Sequence, residues 1–201
     1  MKVRANPASA KFRRALASHP ELLRPWKGTG YRVTSLDYPR PENILSGEGS
    51  FLFGGRWNAA GSFRAVYGST TDTVAVAESR ANAEYAGMPY PFRAPRLLIA
   101  IEFDLKKVLD LAAEETRVVL DLKWHELEEE DWRRVQAAEV ESQTQGLGRA
   151  LFEMGANGLL APSARVREGI NIAYFPRSGE NPEAARICEP AKLDRIRARR
   201  E

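Results

Sequence analysis

One cysteine, Cys188, and two histidines, His19 and His125, are all the thiol and imidazole groups in the 201 residues. A lone cysteine closes no internal disulfide, so a reducing compartment is the expected home. Two distant histidines and one thiol do not supply the three or four ligands of a zinc site. His125 stands in WHELEEED, which is not H-E-x-x-H, and no metal is expected. No apolar run approaches the roughly 18 residues of a spanning helix. The opening MKVRANPASAKFRRALA lacks the apolar centre of a signal peptide, so the chain reads as cytoplasmic and free of the membrane. Charge of one sign is also scarce: 30 Lys and Arg against 27 Asp and Glu leave a net charge of +3. That is too little for the basic stripe of a nucleic-acid binder. The one dense cluster, Lys192, Arg195, Arg197, Arg199 and Arg200, reads as a solvated helix end. Three common machines are missing as well: there is no P-loop, no G-x-G-x-x-G between a strand and a helix, and no G-x-S-x-G elbow.

What is present is ordinary globular composition, 43% hydrophobic and 28% charged, enough for one domain with a core. Phe12, Ala15 and Leu16 mark a first helix over Ser9 to His19, ended by Pro20. Short strands are expected at Tyr31–Thr34, Phe63–Ser69, Leu97–Phe103, Val108–Leu111, Leu159–Ala161, Asn171–Phe175 and Arg186–Cys188. Between the first two, Tyr38 to Gly55 is rich in proline and glycine and reads as a long irregular loop, of the kind that often carries function. Thr70 or Thr71 caps a helix running to about Tyr85, and Gln143 to Met154 forms another before Gly155. Asp194 to Glu201 is a terminal helix, while Trp124 to Glu141 is charge-rich and resists placement. Without regular βαβ alternation, the fold class is a single α+β domain.

Four segments hold residue types that a bland fold would not choose: Tyr31-Arg32, Gly54-Gly55-Arg56-Trp57-Asn58, the strand ending Tyr67-Gly68-Ser69 with the helix that follows, and Ala161-Pro162-Ser163-Ala164-Arg165. In that helix Val74, Ala77, Ala81 and Tyr85 share one face, and Glu78 falls inside the stripe. A carboxylate on an inward face needs a partner. It is either a site residue or an acid paired with an arginine for architecture alone, and periodicity weighs the two equally. Glu84, four residues after Arg80, reads as a surface pair. Arg32 offers a guanidinium fork suited to phosphate oxygens, or a brace for a carboxylate. Tyr67 and Trp57 are either core anchors or cleft aromatics, and Ser163 alone is an ordinary turn serine.

Taken in order, YR, GGRWN with Gly61 after it, VYGS, AVAES, and GLLAPSA with Asn171 beyond it resemble the RES-domain family over roughly Gly30 to Pro176. The family is named for an Arg, a Glu and a Ser, which fall here on Arg32, Glu78 and Ser163. The resemblance implies a fold similar to ADP-ribosyltransferase toxins, a small split β-structure with helices around an NAD+ cleft. It divides the chain into an N-terminal helical extension (1–29), an NAD+-cleaving domain (30–190) and a basic C-terminal helix (191–201). It also implies the toxin of a bacterial toxin–antitoxin pair, degrading NAD+ by hydrolysis or phosphorolysis, with an Xre-type helix-turn-helix antitoxin as partner; self-association stays open. Glu78 would stabilise the ribose cation, Arg32 with Arg56 would grip phosphate, Tyr67 would hold nicotinamide, Ser163 would orient by one hydrogen bond, and Tyr31 and Asn171 would complete the NAD+ site. No cofactor is expected beyond NAD+ as substrate and inorganic phosphate as a co-substrate. Two rivals remain: a protein ADP-ribosyltransferase using the same cleft, and a non-catalytic partner-binding domain.

Overall fold

The computed structural model describes residues 3–37, 39–88, 95–177 and 182–198. The first helix, α1 (Ala8–Ser18), buries Phe12 and Leu16, one turn apart. A 3-10 turn at Pro20–Leu22 then leads directly into β1 (Leu23–Ser35). The helical extension expected to residue 29 therefore stops at Ser18, and the strand expected at Tyr31–Thr34 is three times longer. Pro25 hid this strand from the sequence reading. It sits where the pairing of β1 with β3 (Arg96–Asp110) slips register between Arg24 and Trp26, an irregularity that tolerates a residue without an amide donor.

The segment read as one irregular loop contains two short helices, α2 (Pro41–Leu45) and α3 (Glu48–Phe53). Gly54 ends α3 with φ of 78°, a conformation that suits a residue without Cβ. Next come β2 (Val66–Ser69), which starts three residues later than expected, and α4 (Asp72–Tyr85). The Thr71 side chain caps α4 by accepting from the Val74 amide. After β3 comes α5 (Glu114–Val119), and the charge-rich stretch then supplies two short helices, α6 (Trp124–Glu129) and α7 (Trp132–Ala137). Then α8 (Gln143–Glu153) opens with a reciprocal capping box between Ser142 and Gln145. The chain continues through β4 (Gly158–Pro162), β5 (Ile170–Tyr174) and β6 (Ala185–Ile187) to α9 (Pro190–Ala198).

The strands follow the order β1-β2-β5-β4-β3-β6, and β1 also pairs with β3. That extra pairing closes the first five into a barrel-like ring, so the small split β-structure expected from the sequence is corrected to a closed one. One face of the ring gathers Val66, Ile99, Ile101, Phe103, Leu160, Ile172 and Tyr174. The opposite face packs Leu159, Ala161, Ala173 and Phe175 against Phe12 and Leu16 of α1 and Leu147 and Leu151 of α8. Helix α8 presses so closely on the loop before β2 that a Cβ at Gly148 would lie 1.7 Å from the Trp57 carbonyl oxygen. Because α1 shares this core, Ala8–Ser18 are part of the packed body.

Candidate active site

One rung of backbone pairing sets the site. Tyr31 of β1 faces Ser69 of β2, Ser69 faces Asn171 of β5, and Asn171 faces Ala161 of β4. Opposed residues in a ladder project to the same side, so residues far apart in sequence arrive in one row. The Ser69 hydroxyl donates to Asn171 Oδ1 at 2.8 Å, and the Asn171 amide nitrogen donates to Glu78 Oε1 at 2.6 Å. The Ser163 hydroxyl donates to the same oxygen at 2.7 Å. Ser163 is in turn fixed by the backbone: its Oγ accepts from the amides of Arg165 and Val166, at 3.0 and 3.2 Å. Glu78 Oε2 has no hydrogen bond among the described residues and is the oxygen left for a ligand.

The inward stripe expected on α4 needs correction. The buried positions are Val74, Ala75 and Ala83, whereas Tyr85 is 58% exposed. Glu78 is half-buried at the edge of that face, where α4 borders a cleft of about 470 Å3. The pairing expected between Arg80 and Glu84 is present on the far side, at 2.7 Å.

Tyr31, Arg32, Arg56, Tyr67, Glu78 and Asn171 all line this cleft. Arg32 has the same strand parity as Gly30, where a Cβ would meet Phe103 at 2.7 Å and Ile172 at 2.8 Å. Its guanidinium is therefore sunk among apolar side chains. It donates to the Tyr67 carbonyl at 2.6 Å, and its Nε is buried without a partner. Burial lowers the pKa of Arg32, with only a small opposing effect from Tyr67. A guanidinium still stays protonated at physiological pH, so this is a buried cation short of acceptors, suited to an anion.

Tyr67 has a structural duty as well. Its hydroxyl donates to Asn58 Oδ1 at 2.8 Å and accepts from the Trp57 amide at 2.9 Å. Burial pushes the phenol far above its ordinary pKa despite these hydrogen bonds. The ring lies so close to Gly55 that a Cβ there would be 2.4 Å from its oxygen. Arg56 donates to the Leu127 carbonyl of α6; burial chiefly lowers its pKa, against the charges of Glu130 and Glu78. Ser163 is buried behind Glu78, so it reaches the cleft through that carboxylate.

The sequence reading assigned no role to several residues that build the site. Asn58, fully buried, ties the GGRWN loop by donating to the Ser50 and Phe63 carbonyls, each at 2.9 Å. Ser69 orients Asn171. Both stand in quoted motifs, but only the folded register reveals their partners. Trp124, Leu127, Trp132 and Arg133, in the stretch that resisted placement, also line the cleft. Arg133 lies 4.2 Å from the Tyr85 ring centre and 4.3 Å from that of Trp132, and donates to Asn82 Oδ1 at 2.6 Å.

Chemically, the cleft joins a carboxylate oriented by two donors to a sunken cation across a floor of strand ends. Such a pair can grip an anionic ligand and stabilise positive charge developing near the acid.

Residues 29–196 match the RES domain. The NAD(+) phosphorylase MbcT of Mycobacterium bovis is 29% identical over 155 residues, 76% of each chain, and so is MbcT of Mycobacterium tuberculosis. The crystal structure of the M. tuberculosis MbcT–MbcA toxin–antitoxin complex contains a chain of similar fold. The TM-score is 0.72 at 25% identity, covering 96% of this chain and 98% of that one.

Proposed function

The chain belongs to the RES-domain family, and from that premise we propose that it is an NAD+ phosphorylase and the toxin of a toxin–antitoxin pair. It breaks the nicotinamide–ribose bond of NAD+ and passes the ADP-ribosyl group to inorganic phosphate. The likeness to MbcT over three quarters of both chains supports this, as does the match to the MbcT–MbcA complex across nearly the whole fold.

The observation that carries the chemistry is the hold on Glu78. Ser163 and Asn171 both donate to Oε1, at 2.7 and 2.6 Å, so the carboxylate is oriented before substrate arrives. Cleavage of the bond passes through an oxocarbenium-like state with positive charge on the ribose. A fixed anion beside that sugar stabilises the transition state more than the ground state. In this reading Glu78 Oε2 faces the ribose, Arg32 binds the dinucleotide diphosphate, Arg56 supports it, and Tyr31 and the ring of Tyr67 border the nicotinamide. Ser163 and Asn171 act through Glu78 as positioning residues.

The same reading treats the ring as a relative of the ADP-ribosyltransferase toxin fold, with residues 30–190 as the catalytic body between the first helix and the last. The antitoxin is taken to be an Xre-type helix-turn-helix protein that covers the cleft. The setting is the cytoplasm, where the NAD+ pool lies; among the described residues no helix is long and apolar enough to cross a membrane.

The test is incubation of the purified chain with NAD+, with and without phosphate, and mass analysis of the products. ADP-ribose 1″-phosphate forms when phosphate is present. Glu78→Gln, which keeps shape and loses the anion, lowers turnover by about a hundredfold or more while thermal unfolding is preserved. Free ADP-ribose as the main product in phosphate would make the chain a hydrolase, and modified protein would make it a transferase. Intact NAD+ would overturn the enzymatic reading.

A further inference from the structure

The guanidinium groups around the cleft divide by place and by commitment. Arg32 and Arg96 stand on the β1–β3 side, where Arg32 is held by the Tyr67 carbonyl. Arg56, Arg133 and Arg165 line the same cleft from the GGRWN loop, α7 and the turn after β4. Arg133 is committed, stacked between Tyr85 and Trp132 and bonded to Asn82. Arg56 spends one nitrogen on the Leu127 carbonyl. Arg165 is different: it is exposed, and its side chain makes no hydrogen bond or ion pair among the described residues. Its backbone is nonetheless anchored, because its amide donates to Ser163 Oγ at 3.0 Å and the Ser163 amide donates to the Gly169 carbonyl at 2.7 Å. An uncommitted cation is thus mounted on the same turn that holds Glu78.

The three cations sense one another. Burial chiefly lowers the pKa of both Arg56 and Arg133; Glu130 and Glu78 oppose the shift at Arg56, Tyr85 and Asp131 oppose it at Arg133, and Arg165 adds a smaller lowering to each. Cations that line one cleft favour an anion between them. Phosphorolysis needs one at this place. The attacking phosphate is a dianion that must come close to the anomeric carbon, and therefore close to the Glu78 carboxylate. Repulsion between the two anions has to be offset by cations on the phosphate side.

We propose that Arg165 binds the inorganic phosphate that accepts the ADP-ribosyl group, and so decides phosphorolysis over hydrolysis. The inference rests on the phosphorylase reading above and names the residue that selects its acceptor. In the step itself, a phosphate oxygen forms the new bond to the anomeric carbon as the carbon–nitrogen bond to nicotinamide breaks. The electron pair of that bond leaves with nicotinamide, which departs neutral, so no proton donor to the leaving group is needed. The phosphate proton is released to solvent according to the acidity of the new ester.

The experiment compares wild type, Arg165→Ala and Arg165→Lys over a range of phosphate concentrations, with KM for phosphate, KM for NAD+ and the ratio of ADP-ribose 1″-phosphate to ADP-ribose as readouts. Loss of a charge-assisted contact raises KM for phosphate about ten- to a hundredfold in the alanine variant. The product ratio falls in step, KM for NAD+ moves less than about threefold, and lysine restores part of the effect. An unchanged KM for phosphate and product ratio overturn the proposal. An equal rise in KM for NAD+ also overturns it, because Arg165 would then hold the dinucleotide. If wild type makes no phosphorylated product, the phosphorylase reading fails and this inference with it; a phosphorolytic wild type beside an indifferent variant sinks the inference alone.

Discussion

The hydroxyl of Ser69 donates to Oδ1 of Asn171 at 2.8 Å, and this bond fixes which end of the Asn171 amide meets Glu78. With the oxygen end occupied, the nitrogen end must face Oε1. Ser69→Ala frees the amide to turn its oxygen toward the carboxylate. The expected outcome is a fall in kcat of about three- to tenfold, the worth of one ordinary hydrogen bond, with KM for NAD+ nearly constant. Steady-state kinetics check this, and an unaltered kcat would remove Ser69 from the positioning chain.

Arg32→Lys replaces a planar fork by a point charge. The fork serves the Tyr67 carbonyl, and its Nε is buried without a partner, which the proposed reading keeps for substrate. An ammonium at the end of a flexible stem cannot keep both directions. KM for NAD+ rises and kcat falls, each by about tenfold or more, with cooperative unfolding retained. Rates within twofold of wild type would show that Arg32 is a brace for the strand ends and not an anchor for substrate.

Tyr67→Phe separates the ring from the hydroxyl. It leaves Asn58 Oδ1 without its donor and the Trp57 amide without its acceptor, both deep in the fold. Destabilisation of about 1–3 kcal/mol is expected, measured by denaturant unfolding near neutral pH. A second effect appears in alkali. The folded phenol has its pKa raised by burial, whereas in the unfolded chain it ionises near pH 10. Stability from this group is therefore complete below about pH 10 and declines as pH climbs through and beyond that value. The phenylalanine variant shows a shallower alkaline decline than wild type; an identical decline would contradict the assigned burial.

Arg32, Glu78, Ser163, Tyr67 and Asn171 were singled out before folding, though by the order of their motifs and the resemblance that order carries and not by the chemistry of any one of them. All five meet at one cleft or directly behind it. What spacing could not give was the partner of Glu78. Helical periodicity asked only for a partner, and a serine and an asparagine, 85 and 93 residues away, answer that need. Nor does periodicity expose a strand interrupted by Pro25, since a bulge breaks the alternation on which strand recognition depends. Trp132 and Arg133 were obscured for another reason. Their helix has only six residues, too few to display a face, and their contacts lie on α4.

The position of β5, after both Glu78 and Ser163 in the chain, has a consequence for when the proposed activity can arise during synthesis. Glu78 leaves the ribosome long before Ser163 and Asn171, and the rung that seats Asn171 cannot form until its strand has been synthesised. A nascent or prematurely terminated polypeptide thus carries the acid without either of its guides. On the proposed reading, activity is withheld until β5 has been synthesised.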